Sequence, residues 1–260
     1  MKSRGLILAG LCLGVVLSLG TVLRAQAPAN QLYAVNDMVV EPAKAADFEA
    51  AMKDWVAFYA KNKYPWSYSV YRTEDFHYYL LGPVKDMADF EAMMKADMEL
   101  EKKAGAEFEA LMKRTAGAFV FVNSDLAVLR YDLSYTPEKP RVPTAEARFI
   151  CWDYYYGIPS LAEEGDKIAK EWQALYKSKN IPDNFLYYML IMGPDLPVSV
   201  VARWGKSEAD FNAEDELVFK TLGDAYAPLA KKTMALCRKY ERRTGYRLEA
   251  LSYTPAPAVK

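Results

Sequence analysis

The sequence predicts an α+β fold in which two tandem β-α-β-β-α-β repeats pack sheet to sheet within one chain. Three observations lead there. The pentapeptide at 133–137, LSYTP, returns at 251–255, 118 positions later. Pro42, Trp55, Tyr59 and Pro65 return 117 positions on as Pro159, Trp172, Tyr176 and Pro182, while Ala88-Asp89-Phe90 reappears at 209–211. The hydrophobic periodicity also changes in the same order in both halves. Self-similarity on this scale marks a duplicated structural unit, and small changes of displacement mark loop insertions. The predicted repeats span 30–137 and 148–257, joined by a proline-rich linker over 138–147.

Residues 31–40 and 148–156 are apolar, β-branched or aromatic and read as the first strand of each repeat. Phe48, Met52, Trp55, Val56 and Tyr59 then recur at helical spacing, one stripe of an amphipathic helix, matched by Ile168, Trp172, Leu175 and Tyr176. Paired strands follow at 66–72 with 77–81, and at 185–192 with 198–204. A second helical region opens at Asp86 and Ser207, whose side chains can cap it, each with a carboxylate three residues on. Gly105 and Gly223 interrupt that region midway, where glycine costs about 1 kcal/mol relative to alanine. The last strands are predicted at 126–135 and 246–253. This order is the ferredoxin-like split βαβ unit, twice. Its helices cover one sheet face only. Both faces of the first strand are apolar, Tyr33, Val35 and Val39 alternating with Leu32, Ala34, Met38 and Val40. The uncovered face of each repeat therefore needs the other, giving an intrachain pseudo-dimeric α+β barrel.

The N-terminus reads as a secretory signal peptide over 1–25: Lys2 and Arg4, an apolar run from Gly5 to Leu23, then the small residues Ala25 and Ala27. Cleavage after Ala25 would leave an exported chain, periplasmic or extracellular, without a stable membrane anchor. Lys2, Arg4 and Arg24 leave with the signal, making the formal charge of −1 more negative by three. A mildly acidic chain does not suit the neutralisation of phosphates, so no nucleic-acid partner is expected. The one basic concentration is Lys231, Lys232, Arg238, Lys239, Arg242 and Arg243. It is expected on the solvated end of a helix, where cations meet the dipole's negative pole. Cys151 and Cys237 read as buried thiols, although export would permit a bridge.

The chemical inventory is sparse. His77 is the single histidine and is expected in an exposed turn. One histidine supplies neither a metal cluster nor, so placed, a nucleophile–histidine pair. No glycine-rich phosphate loop appears, and no metal or cofactor is predicted. What the strands carry is aromatic: Trp66, Tyr68, Tyr71, Tyr78 and Tyr79 against Trp152, Tyr154, Tyr155, Tyr156, Tyr187, Tyr188 and Trp204. Aromatic residues suit strands for packing alone. The functional reading is a barrel cavity with aromatic walls and a few polar groups, suited to a small apolar or aromatic ligand. The candidate ligand-binding residues are Asn36, Trp66, Tyr68, Trp152, Asp153, Tyr154, Tyr187, Arg203 and Trp204, with no catalytic residue assigned.

Element order, internal repetition and the passage VARWGKSEADF at 201–211 resemble the dimeric α+β barrel superfamily. It includes antibiotic-biosynthesis-type monooxygenases, EthD-like and NIPSNAP-like proteins, and tandem-domain relatives of chlorite dismutase. The resemblance covers nearly all of the chain beyond the signal and implies the barrel fold. A shared fold does not carry a shared reaction. Haem-using members depend on a helix-borne histidine, which the second helical region of neither half contains. Cofactor-free monooxygenases of the superfamily use a first-strand asparagine. Asn36 matches that position and Asp153 is its counterpart, without the accompanying histidine. Three readings stay open. They are a binding protein for a small apolar or aromatic molecule, a cofactor-independent oxygenase or isomerase, and an interaction protein whose sheet edges could pair as a homodimer.

Overall fold

The computed structural model describes residues 29–256, so the expected signal peptide lies outside the described residues. The strands are β1 (Gln31–Val40), β2 (Ser69–Thr73), β3 (His77–Val84), β4 (Phe119–Leu129), β5 (Phe149–Gly157), β6 (Leu186–Met192), β7 (Val198–Gly205) and β8 (Cys237–Arg247). They close into one antiparallel barrel in the order β1-β3-β2-β8-β5-β7-β6-β4. Each half thus has the same strand order, and the halves join edge to edge through β2–β8 and β4–β6. The two sheets are not separate stacked layers: closure pairs edge with edge, which leaves few strand groups without partners.

Helices α1 (Ala45–Lys61), α2 (Met87–Ala104) and α3 (Ala106–Ala116) belong to the first half, and α4 (Ala162–Ser178), α5 (Glu208–Leu222) and α6 (Tyr226–Ala235) to the second. They pack outside the barrel. Helix α1 buries Phe48, Met52 and Trp55, the stripe its spacing predicts. The caps form as read: Asp86 accepts from the Asp89 N–H at 2.9 Å and Ser207 from the Asp210 N–H at 3.2 Å. Gly105 at φ +48° and Gly223 at φ +57° take the left-handed conformation that other residues resist, and both break the second helical region. Alternation along β5 sorts its side chains. Ile150, Trp152, Tyr154 and Tyr156 join Val198, Val200, Ala202 and Trp204 inside the barrel, while Cys151, Asp153 and Tyr155 face the helices. The segment over 138–147 is irregular but docked: Val142 is fully buried and its carbonyl accepts from the Trp204 indole at 2.9 Å.

Three expectations need correction. The last strands run over Phe119–Leu129 and Cys237–Arg247, not 126–135 and 246–253. The charged stretch from Arg238 to Arg243 has poor strand propensity, yet it pairs with β5 along its whole length. The β5 backbone needs those partners, so tertiary pairing overrides local preference. The basic run is accordingly split, with Lys231 and Lys232 on α6 and Arg238, Lys239, Arg242 and Arg243 on β8. His77 opens β3 rather than lying in an exposed turn. Its Nδ1 is 2.7 Å from Asp37 Oδ1, its ring stacks on Tyr79, and its side chain is 17 % exposed. Both cysteines are free, Cys151 buried and Cys237 half-buried.

The two LSYTP segments lie outside the strands. Each crosses to the opposite half, through the bridges Tyr135–Phe185 and Tyr68–Tyr253. Leu251 and Tyr253 complete the core beneath α1, while Tyr135 completes the core beneath α4.

Candidate functional site

The register makes the two halves comparable residue by residue. Asn36 lies between Leu80 and Ser124, and Asp153 lies between Val201 and Arg242. Beneath the helices of the first half the space is full. Phe48 and Tyr78 are fully buried with ring centroids 4.7 Å apart, and Met52 packs beside them. At the corresponding positions of the second half stand Gly165, Ser199 and Ala169. Small side chains stand where the first half has three large ones. The result is a cavity of about 370 Å³ between β5–β7 and α4–α6, with Gly165, Ala169 and Ser199 in its wall. A Cβ built on Gly165 would meet nothing within 4 Å. Its body is apolar, formed by residues such as Ile168, Trp172, Val201, Val218, Leu222 and Met234.

One end of the cavity is charged but balanced. Asp153 Oδ1 accepts from Arg242 Nε at 2.7 Å and from the Tyr240 hydroxyl at 2.6 Å, and Oδ2 accepts from Arg203 Nη2 at 3.1 Å. Arg203 also donates to Asp215. Burial by itself would raise the Asp153 carboxyl, but Arg203, Arg242 and Tyr240 outweigh it and hold it below the usual carboxylate range. It is therefore a fixed anion, not a base poised near neutrality. At the wall, Tyr187 donates to Ser199 at 2.6 Å. Burial pushes the Tyr155 phenol well up and the Tyr176 phenol to about 12, so both stay protonated donors. With two carboxylates matched to two guanidinium groups, this end can orient a polar atom without demanding a charged ligand.

The nine predicted site residues separate. Asp153, Tyr187 and Arg203 meet in this helix–sheet cavity. Trp152 and Tyr154 line a different cavity inside the barrel mouth, and Trp204 sits in the barrel interior bound to Val142. Trp66 donates to Asp89 at 3.3 Å, and Tyr68 packs in the first-half core. Asn36 accepts from the Ser124 hydroxyl at 2.8 Å on the helix side, in neither cavity. Arg242, Tyr240, Asp215 and Gly165 escaped sequence reasoning. The first two sit on the strand read as helix, but Gly165 stands 117 positions from Phe48 and could have been found by listing where the repeats exchange large for small.

No protein-family model matches the chain, and no curated protein matches it. Solved structures do. The anthrone oxidase-like protein superposes with TM-score 0.60 at 10 % identity, over 86 % of this chain and 93 % of that one. A candidate monooxygenase from Fusobacterium nucleatum gives 0.56 at 14 % identity, over 85 % and 94 %. Another from Lactobacillus acidophilus NCFM gives 0.54 at 6 % identity, over 88 % and 98 %. The fold is that of the dimeric α+β barrels. At such identities the likeness shows the fold alone, and the chemistry has to be argued from the cavity.

Proposed function

We propose that this chain is an exported binding protein that holds a small apolar or aromatic molecule in the helix–sheet cavity of its second half. The observation that carries the reading is the exchange of Phe48, Met52 and Tyr78 for Gly165, Ala169 and Ser199, which empties a space the first half fills. Packed interiors leave few voids larger than a water, and glycine inside α4 works against helix stability. Keeping a large apolar void and a helical glycine together makes sense when a ligand supplies the missing contacts. The enzymatic alternative has Asp153 or Asn36, with a tyrosine, handling protons; Asn36 lines neither cavity, which leaves Asp153. Its two arginine partners argue against that role. Export rests on the signal-like residues 1–25, and the repeat boundaries 30–137 and 148–257 on the displaced matches; we take the halves to be duplicated copies that diverged at this cavity.

The test is fluorescence titration with the neutral aromatic probe N-phenyl-1-naphthylamine. Wild type is expected to bind it saturably, and Gly165→Phe or Ser199→Tyr to lose at least tenfold in affinity. Equal binding by wild type and both filled variants would overturn the reading.

A further inference from the structure

A second cavity, of about 230 Å³, opens at the end of the barrel where β1 and β5 finish. The pleat separates it from the first: Trp152, Tyr154 and Tyr156 line this one, while Asp153 and Tyr155 line the other. Its floor is apolar and aromatic, with Val35, Leu81, Trp152 and Tyr188.

Three carboxylates line it: Asp195, 3.8 Å from Arg238, and on the β1–β4 wall Asp37 and Asp125. Val35 pairs with Asp125 and Asp37 with Asn123, so Asp37 and Asp125 project from the same face as diagonal neighbours about 7 Å apart. Asp37 is provided for: Oδ1 is 2.7 Å from His77 Nδ1 and Oδ2 is 3.7 Å from Arg243 Nη1. Asp125 is not. Its Oδ1 is buried against Gly193 without a hydrogen-bond donor among the described residues. The two cations at the rim have partners other than Asp125. Arg243 donates to the Tyr79 hydroxyl and to Glu241 at 3.1 Å, with its guanidinium 4.9 Å from the Tyr154 ring centroid. Lys239 is 2.7 Å from Glu241 and lies 4.5 Å from the Tyr156 ring centroid. Desolvation, then the nearby Asp37, push the Asp125 carboxyl upward, as expected where a countercharge is lacking.

Gly193 closes in Oδ1, so a ligand would meet the outer side of the Asp125 carboxylate, where a cation would supply the countercharge that it lacks. Aromatic faces favour a cation, whereas an anion would meet Asp37 and Asp125 together. We propose that the barrel-mouth cavity is a second ligand site, which takes a small primary amine with a one-ring apolar body. The ammonium group sits between Asp37 and Asp125, and the ring lies toward Trp152 and Tyr188. This site does not depend on the ligand proposed for the helix–sheet cavity.

Titration calorimetry on the mature chain tests it with 2-phenylethylamine, 2-phenylethanol and 3-phenylpropanoate. The amine is expected to bind one per chain, the alcohol at least tenfold more weakly, and the acid without measurable heat. Asp125→Asn should weaken the amine at least tenfold. Asn123→Lys, at the rim and away from the buried oxygen, should do the same through a competing cation, and it carries the test should Asp125→Asn not fold. Gly165→Phe, which closes the other cavity, should leave amine binding unchanged. The proposal is overturned by an absence of heat with the amine, by equal affinity for alcohol and amine, by unchanged binding in the rim variants, or by loss of binding in Gly165→Phe.

Discussion

The hydroxyl of Tyr135 donates to the carbonyl of Ile181 at 2.9 Å, and the hydroxyl of Tyr253, 118 positions later, donates to the carbonyl of Tyr64 at 2.9 Å. Each tyrosine ends one half and fastens the other. The neighbouring serines do likewise, Ser134 accepting from the Tyr187 N–H and Ser252 from the Val70 N–H, both at 2.9 Å. The repeated LSYTP is thus a pair of exchanged latches.

Removing one latch hydroxyl leaves a buried carbonyl without its donor, which costs about 1–3 kcal/mol. Tyr135→Phe and Tyr253→Phe are each expected to lower unfolding free energy in urea by that amount. The two sit in different cores, so the double variant should show the sum. A stability equal to wild type in either single variant would refute the latch.

Gly165→Ala should stabilise the protein by about 1 kcal/mol, because alanine favours the helix and its Cβ enters open space. Thermal unfolding measures this directly. A lower melting temperature would mean that the cavity wall tolerates no added methyl.

Asp153→Ala leaves Arg203 and Arg242 sharing the single carboxylate of Asp215, an unbalanced buried charge expected to cost about 3–5 kcal/mol at pH 7. The folded carboxyl lies below its unfolded value of about 3.9, so its contribution is complete above that pH. It is lost as pH falls through the folded value. The stability gap between wild type and variant should therefore be constant from pH 7 to 5 and shrink below about pH 4. A gap independent of pH into that acid range would contradict the ion-pair account.

Cys151 is fully buried, and desolvation pushes its thiol up to about 11, whereas Cys237 is half-buried and lines the helix–sheet cavity. At pH 8 a thiol reagent should modify Cys237 first, and the naphthylamine probe should slow that reaction without changing the Cys151 rate. Equal rates at the two thiols, or no protection by the probe, would count against this placement.

Mass spectrometry of the exported product is expected to give Gln26 as its first residue. Retention of residues 1–25 would overturn the export reading.

The sequence alone determined the order of elements, the helix caps and the two helix-breaking glycines. Each depends on neighbours within a few residues, or on repetition that can be counted along the chain. Only the tertiary structure decided that Arg238 to Arg243 form a strand, because the partner that needs those main-chain groups, β5, lies 83 to 91 residues earlier in the chain. It also decided which face of β5 meets which cavity. Asp153 and Tyr154 are adjacent in sequence yet serve different chambers, since successive strand residues point to opposite sides of the sheet. The cavity itself is a difference between two packings, Phe48 with Tyr78 and Gly165 with Ser199. A void has no residue of its own in the sequence; it exists only where side chains distant along the chain fail to meet.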